Sequence, residues 1–247
     1  MSSIASFDPL IKTWFSEQIG VPTSIQEKAW PVIASGQHAL IAAPTGSGKT
    51  LTAFLAAIDR LAKGEWPIGE TSVLYISPLK ALNTDIRVNL TSPLKQIKER
   101  FLQIGRKWPD IRVMTRSGDS TPGERRRMLT HPPEILITTP ESLNLLLCTD
   151  NGKRALSTIR CVIMDEVHAI MPSKRGIHLI TAIERLTLLA GEFQRLALSA
   201  TVRPLDQVAS WIGGFTMESH KEDVTYTPRV VSIVEDQSPK TYDITVH

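Results

Sequence analysis

The chain has 247 residues, 42% of them hydrophobic and 21% charged, and at this length folding can bury roughly 70 to 75% of the extended surface. Those proportions exclude a disordered tail, a small disulfide scaffold and a coiled coil, and the 16 prolines and 14 glycines are spread rather than periodic. Basic residues outnumber acidic ones by 28 to 25, a net charge of +3 that permits a polyanionic partner without arguing for one.

The chain opens MSSIASFDPLIKTWF, with Asp8 early and no basic start ahead of an apolar run, which is not the pattern of a signal peptide. No window approaches the roughly 20 apolar residues of a membrane span, so the expected compartment is the cytoplasm. Short apolar runs then recur at 38–43 (HALIAA), 72–77 (SVLYIS), 111–115, 134–139 (EILITT), 160–165 (RCVIMD) and 195–200 (RLALSA). Their β-branched content reads as buried strands. Between the first two, Leu51, Phe54, Leu55, Ile58 and Leu61 share one helical face. Alternating strands and helices predict an α/β domain, a mostly parallel sheet with helices on both faces, and place the chemistry just past the strand ends. Cys148 and Cys161 lie in apolar runs without a second pair at zinc-ligand spacing, and both are expected buried and reduced. After 215 the character changes. The stretch ESHKEDVTYTP reads as turns ahead of two extended pieces, 229–234 and 241–246. The expected division is 1–215 as one domain and 216–247 as a strand and linker.

Two strand ends carry recognisable chemistry. The first run leads into Ala43, Pro44, Thr45, Gly46, Ser47, Gly48, Lys49 and Thr50, then into the amphipathic helix. This strand-turn-helix spelling is a phosphate-binding loop. Glycines let backbone N–H groups curl around an anion at the helix start, Lys49 reaches the outer phosphates, and Thr50 offers a hydroxyl to Mg²⁺. Ala43 replaces the usual first glycine, where a small residue suffices. The run 161–164 delivers Asp165 and Glu166 to another strand end. Asp165 suits a metal site and Glu166 suits a general base for the water that attacks the γ-phosphate, which makes Lys49, Asp165 and Glu166 the candidate catalytic set. His168 taken alone reads as structural, and the other five histidines form no metal-ligand set. The five tryptophans do not interleave with basic residues and read as packing. Arg125, Arg126 and Arg127 follow the helix start Thr121-Pro122 and read as a basic solvated face more readily than as a contact surface.

The order AAPTGSGKT, SPLKAL, TTPES, DEVH and SAT resembles superfamily 2 helicases along nearly the entire chain, in their first RecA-like domain. SPLKALNTD, DEVHAIMPSKRG and LSATV look like the large helicase-related (Lhr-type) ATP-dependent helicases in particular. The resemblance implies ATP and Mg²⁺ as cofactors. It implies that Gln26, in GVPTSIQ, reads the adenine edge, although the residue also suits a helix start after Pro22. Pro78 and Lys80, Thr139, Pro140 and Glu141, and Gly118 in the RSGD loop become contacts to a nucleic-acid backbone. His168, Ser199 and Thr201 become the coupling between ATP state and nucleic-acid grip. It further implies 3′-to-5′ movement on DNA, a role in repair, a single-stranded or partly duplex substrate with DNA favoured, and a second RecA-like domain carrying arginine fingers in the full-length chain. A protein-remodelling P-loop ATPase, an RNA-acting helicase and a nucleotide-gated binding module are the competing expectations. Nucleic-acid stimulation of ATP turnover separates the helicase readings from the remodelling ATPase, and detectable hydrolysis by a longer chain ends the binding-module reading.

Overall fold

The computed structural model describes residues 3–78, 82–200, 203–220 and 223–236, with the backbone alone at 3, 82–89, 217–220 and 223–224. Lys80, Thr201 and the expected strand at 241–246 lie outside the described residues. In chain order the elements are α1 (Pro9–Gln18), α2 (Ser24–Ala34), β1 (His38–Ala42), α3 (Lys49–Ala62), β2 (Val73–Ile76), α4 (Leu82–Gln103), β3 (Val113–Arg116), α5 (Pro122–Thr130), β4 (Ile135–Thr138), α6 (Pro140–Leu147), α7 (Asp150–Leu156), β5 (Cys161–Met164), α8 (Val167–Ile170), α9 (Lys174–Ala190), β6 (Gln194–Ser199), α10 (Leu205–Gly213), β7 (Phe215–His220), β8 (Asp223–Pro228) and β9 (Val231–Glu235).

Seven strands form one sheet in the order β3-β4-β2-β5-β6-β1-β9, every neighbouring pair parallel. The pleat sends alternate residues to opposite faces. Ile41, Tyr75, Ile137, Ile163 and Leu198 pack with α1 to α4, while Leu40, Leu74, Leu136, Val162 and Ala197 pack with α5 to α10. Because both faces are covered, the inner strands read as continuous apolar runs. Phe54, Leu55, Ile58 and Leu61 of α3 are buried on the first side, as their spacing predicts. Trp14, Trp30, Trp66 and Trp108 are buried as well, which agrees with packing rather than base stacking.

Two expectations change. Cys161 is buried in β5, and burial pushes its thiol up to about 12. Cys148 is exposed, because it caps the C-terminus of α6, where the apolar run has already turned away from the core. The stretch read as turns after 215 forms instead an antiparallel hairpin, β7 with β8. It delivers β9 to the sheet edge beside β1 with Leu40 opposite Ile233, so residues beyond 215 complete the main sheet.

Below the sheet, at the start of β6, Arg195 is fully buried and donates to Glu184 Oε1 at 2.8 Å, to the Ile212 and Gly213 carbonyls at 2.9 Å each, and to Thr187 Oγ1 at 2.9 Å. Arg229 joins through Glu184 at 3.3 Å and Glu192 at 2.7 Å. This network locks α9, α10 and the approach to β9 to one another.

Candidate active site

The loop between β1 and α3 owes its shape to two glycines with left-handed backbone, Gly46 (φ 76°) and Gly48 (φ 91°). At Gly48 a Cβ would also lie 2.8 Å from Gln26 Nε2, so the Gln26 amide would have to shift. Gly48 caps α3, so the free N–H groups of its first turn face the loop interior. Lys49 is buried, and its ammonium donates to the Ala43 carbonyl at 2.5 Å and the Pro44 carbonyl at 2.9 Å. Ser47 Oγ is buried without a hydrogen-bond partner. An orphaned hydroxyl beside a ring of N–H groups is a group that a phosphate oxygen can satisfy.

Gln26 sits behind this loop. Its Oε1 accepts the Thr23 N–H at 2.9 Å as part of the α2 capping box, and Thr23 Oγ1 donates to the Ser47 carbonyl at 3.0 Å. The GVPTSIQ segment therefore acts locally as a helix start that is docked on the phosphate loop.

β5 neighbours β2 on one side and β6 on the other, and it carries Asp165 and Glu166 past its end. Asp165 is buried with both oxygens engaged: Oδ1 accepts the Glu166 N–H at 2.8 Å and Oδ2 accepts the Tyr75 hydroxyl. Burial holds the Asp165 carboxyl above its ordinary range, against the opposing pull of Tyr75 and Lys49. Burial and the Asp165 charge likewise raise the Tyr75 hydroxyl. Glu166 has φ 51°, the sole positive φ at a non-glycine among the described residues. Such a conformation costs on the order of 1 to 3 kcal/mol and gathers at functional sites. It turns the Glu166 side chain back toward the loop. A cavity of about 570 Å³ is lined by Thr45, Gly46, Gly48, Lys49 and Thr50 together with Asp165 and Glu166, and α1 and α4 wall it through Gln18 and Gln96. Of the residues expected for ATP and Mg²⁺, Thr45, Gly46, Gly48, Lys49, Thr50 and Asp165 thus line one cavity, while Ala43, Pro44 and Ser47 belong to the loop without lining it and Gln26 packs behind Gly48.

His168 connects this cavity to the next strand. Its Nδ1 accepts the Ala200 N–H at 3.1 Å, and its Nε2 lies 3.2 Å from Glu166 Oε2. Ser199 is buried at the end of β6, and its Oγ donates to the Ala200 carbonyl at 2.7 Å. Of the coupling set, His168 and Ser199 meet at Ala200.

The residues expected on nucleic acid follow β2, β4 and β3, three neighbouring strands. Thr139 caps α6 by accepting the Ser142 N–H at 3.3 Å, and Pro140 begins that helix. The Gly118 carbonyl accepts Arg125 Nη2 at 3.0 Å. Arg175, which sequence reasoning passed over, donates to Glu141 Oε1 at 2.6 Å and to the Pro78 carbonyl at 2.8 Å. Burial is the largest single influence on the Glu141 carboxyl and raises it, but the Arg175 hydrogen bond and charge, the backbone N–H of Glu141 and the Thr139 hydroxyl together outweigh it, and the net shift is downward. Arg175 is therefore a strut between the Pro78 loop and the first turn of α6, where Glu141 anchors it. Gly176 lets α9 start close by, since a Cβ there would lie 2.6 Å from the Ile170 carbonyl. Tyr75 was missed too, because inside VLYI it reads as core.

The family model described as DEAD/DEAH box helicase matches residues 23–208. The chain is 44% identical over 242 residues to the ATP-dependent helicase Lhr-Core protein 2 of Thermococcus barophilus, covering 97% of this chain and 27% of that protein. It is 48% identical over 213 residues to the Lhr helicase/probable uracil glycosylase of Mycolicibacterium smegmatis, covering 85% and 14%. Among solved structures, the Mycobacterium smegmatis helicase Lhr bound to ssDNA and AMP-PNP superposes with a TM-score of 0.87 at 44% identity, over 98% of this chain and 29% of that one. The chain thus spans about a quarter or less of the length of these curated relatives. With a phosphate loop and an acid pair in one cavity of a RecA-like sheet, and with three quarters of its length matched, the chain belongs to the DEAD/DEAH box helicase family.

Proposed function

We propose that this chain is the ATP-binding part of an Lhr-type, ATP-dependent helicase or translocase that acts on single-stranded or partly duplex nucleic acid. The observation that carries the reading is the shared cavity of the 43–50 loop and Asp165-Glu166, linked through His168 to the end of β6. DNA is the favoured substrate, with 3′-to-5′ movement and a role in repair, on the strength of the likeness to Lhr proteins.

Within this reading the Lys49 ammonium exchanges the Ala43 and Pro44 carbonyls for phosphate oxygens, a change between hydrogen-bonded states that leaves no buried charge bare. The first-turn N–H groups of α3 and Ser47 Oγ complete the cradle. Thr50 and, indirectly, Asp165, whose two oxygens are engaged by the Glu166 N–H and the Tyr75 hydroxyl, would hold Mg²⁺, which would neutralise charge on the phosphate. Glu166 takes the proton from the attacking water, oriented by its left-handed backbone and by His168. Pro78, Gly118, Thr139 and Pro140 face the phosphodiester backbone through loops and a helix start, with Lys80 adding a cation, so binding is tolerant of sequence. Arg175 and Glu141 hold two of those loops at a fixed separation. A second RecA-like domain in the full-length chain supplies the arginine finger, whose contribution is about 10³ to 10⁵ in turnover.

The test is ATP turnover by the full-length protein without nucleic acid and with single-stranded DNA, RNA and a hybrid duplex. Stimulation greatest with DNA is expected, and Glu166→Gln lowers it by about 10² to 10⁴ while binding persists. Turnover indifferent to every nucleic acid would return the chain to the protein-remodelling class.

A further inference from the structure

The strand-contact loops form a row. Pro78, the Thr139-Pro140 pair and Gly118 follow β2, β4 and β3, which succeed one another to the edge of the sheet. At about 4.8 Å per strand the row crosses about 10 Å and then runs off the protein at β3. α5 begins immediately behind the Gly118 loop and runs back from that face. Its fifth and sixth residues, Arg126 and Arg127, lie about 6 to 8 Å below the face at 1.5 Å per residue, within reach of an extended arginine side chain.

The three consecutive arginines have separate situations. Arg125 fastens the loop, donating to the Ser120 carbonyl at 2.9 Å and to the Gly118 carbonyl at 3.0 Å. Arg126 and Arg127 are exposed, and their guanidinium groups have no hydrogen-bond or ion-pair partner among the described residues. Both line a cavity of about 690 Å³ between α5 and the edge strand β3, with Arg112, Met114, Thr130 and His131. Arg112 is already matched by the fully buried Glu134 at 3.1 Å, and Glu124, the one carboxylate on α5, is turned back into its own capping box. Two uncompensated cations in a concave site, placed where the row leaves the sheet, fit a phosphodiester chain.

Resting on the nucleic-acid reading above, we propose that the cavity between α5 and β3 is a phosphodiester-binding site in which Arg126 and Arg127 take the backbone of a single strand after it has crossed the row. It lengthens the grip beyond the motif loops and reads charge rather than sequence.

The test is fluorescence anisotropy with two oligothymidylates, one only long enough to cross the row and one several times longer. For Arg126→Ala/Arg127→Ala, affinity for the long oligonucleotide should fall by about tenfold, the order expected for the loss of two solvent-exposed ion pairs. Its salt dependence should become shallower by about 1.4, near 0.7 for each phosphate that is no longer neutralised. Affinity for the short one should stay unchanged, and Arg126→Lys/Arg127→Lys should retain most of the long-strand affinity. Arg125→Ala, by contrast, should weaken both. Equal loss on both lengths would make Arg126 and Arg127 part of the row, and no loss on the long one would empty the cavity of nucleic acid; either overturns the proposal. Loss of polyglutamate binding with oligonucleotide binding intact would assign the site to an acidic protein segment instead. Failure of the unaltered chain to bind either oligonucleotide would remove the nucleic-acid reading itself, a result distinct from the others.

Discussion

His168 accepts the Ala200 backbone N–H at Nδ1, 3.1 Å away, and that acceptance fixes the tautomer: the proton of the neutral ring sits on Nε2, which faces Glu166 Oε2 at 3.2 Å. A shift of the β6 end is thereby felt at Glu166. In the full-length protein, His168→Ala should leave nucleotide affinity unchanged and lower nucleic-acid stimulation of turnover by about tenfold, the scale of one hydrogen bond. Turnover measured with and without single-stranded DNA decides it. An equal fall in basal and stimulated rates would mean that His168 serves only to orient Glu166.

Tyr75 stacks on Phe54, with ring centroids 4.8 Å apart, and donates its hydroxyl to Asp165. Tyr75→Phe keeps the stack and removes a hydrogen bond to a charged group, worth about 1.5 to 3 kcal/mol. The Mg²⁺ concentration for half-maximal turnover should rise by about tenfold or more, with thermal stability preserved. A Mg²⁺ titration of the variant checks this, and an unchanged midpoint would reduce Tyr75 to packing.

Lys49→Ala removes the one side-chain cation of the phosphate loop. Nucleotide affinity should drop by about 1.5 to 3 kcal/mol, roughly 10- to 150-fold. Calorimetric titration with a non-hydrolysable ATP analogue measures it, and undiminished affinity would contradict the loop assignment.

Arg195→Ala should destabilise the fold by about 1 to 3 kcal/mol, because it takes a fully buried donor from the Ile212 and Gly213 carbonyls, while its carboxylate partner Glu184 is more than a third exposed and can turn to water. The loss should sit toward the lower end, since Glu184 keeps Arg229 at 3.3 Å. Urea unfolding followed by tryptophan fluorescence measures it; a change under about 1 kcal/mol would show that the network contributes little.

Much of this protein was legible before any fold was known, for local reasons. A strand buried on both faces has to be apolar throughout, so the runs of the five inner strands declared themselves more plainly than the half-buried edge strand β3, and a loop that curls N–H groups around phosphate demands glycines at fixed spacing ahead of a helix. Asp165 and Glu166 were equally plain, being acidic residues delivered by an apolar run. The tertiary structure decided what depends on elements far apart in sequence. Tyr75 looked like core until the β2 and β5 pairing set its hydroxyl on Asp165, 90 residues away. Arg175 meets the Pro78 carbonyl across 97 residues and Glu141 across 34, a junction no spacing rule can express. The stretch after 215 carried turn-forming residues that suited a linker, yet pairing made it a hairpin and placed β9 beside β1, because a strand at a sheet edge draws its stability from its neighbour rather than from its own composition. Cys148 likewise sits in an apolar run but faces outward, since burial at a helix end is set by where the helix stops.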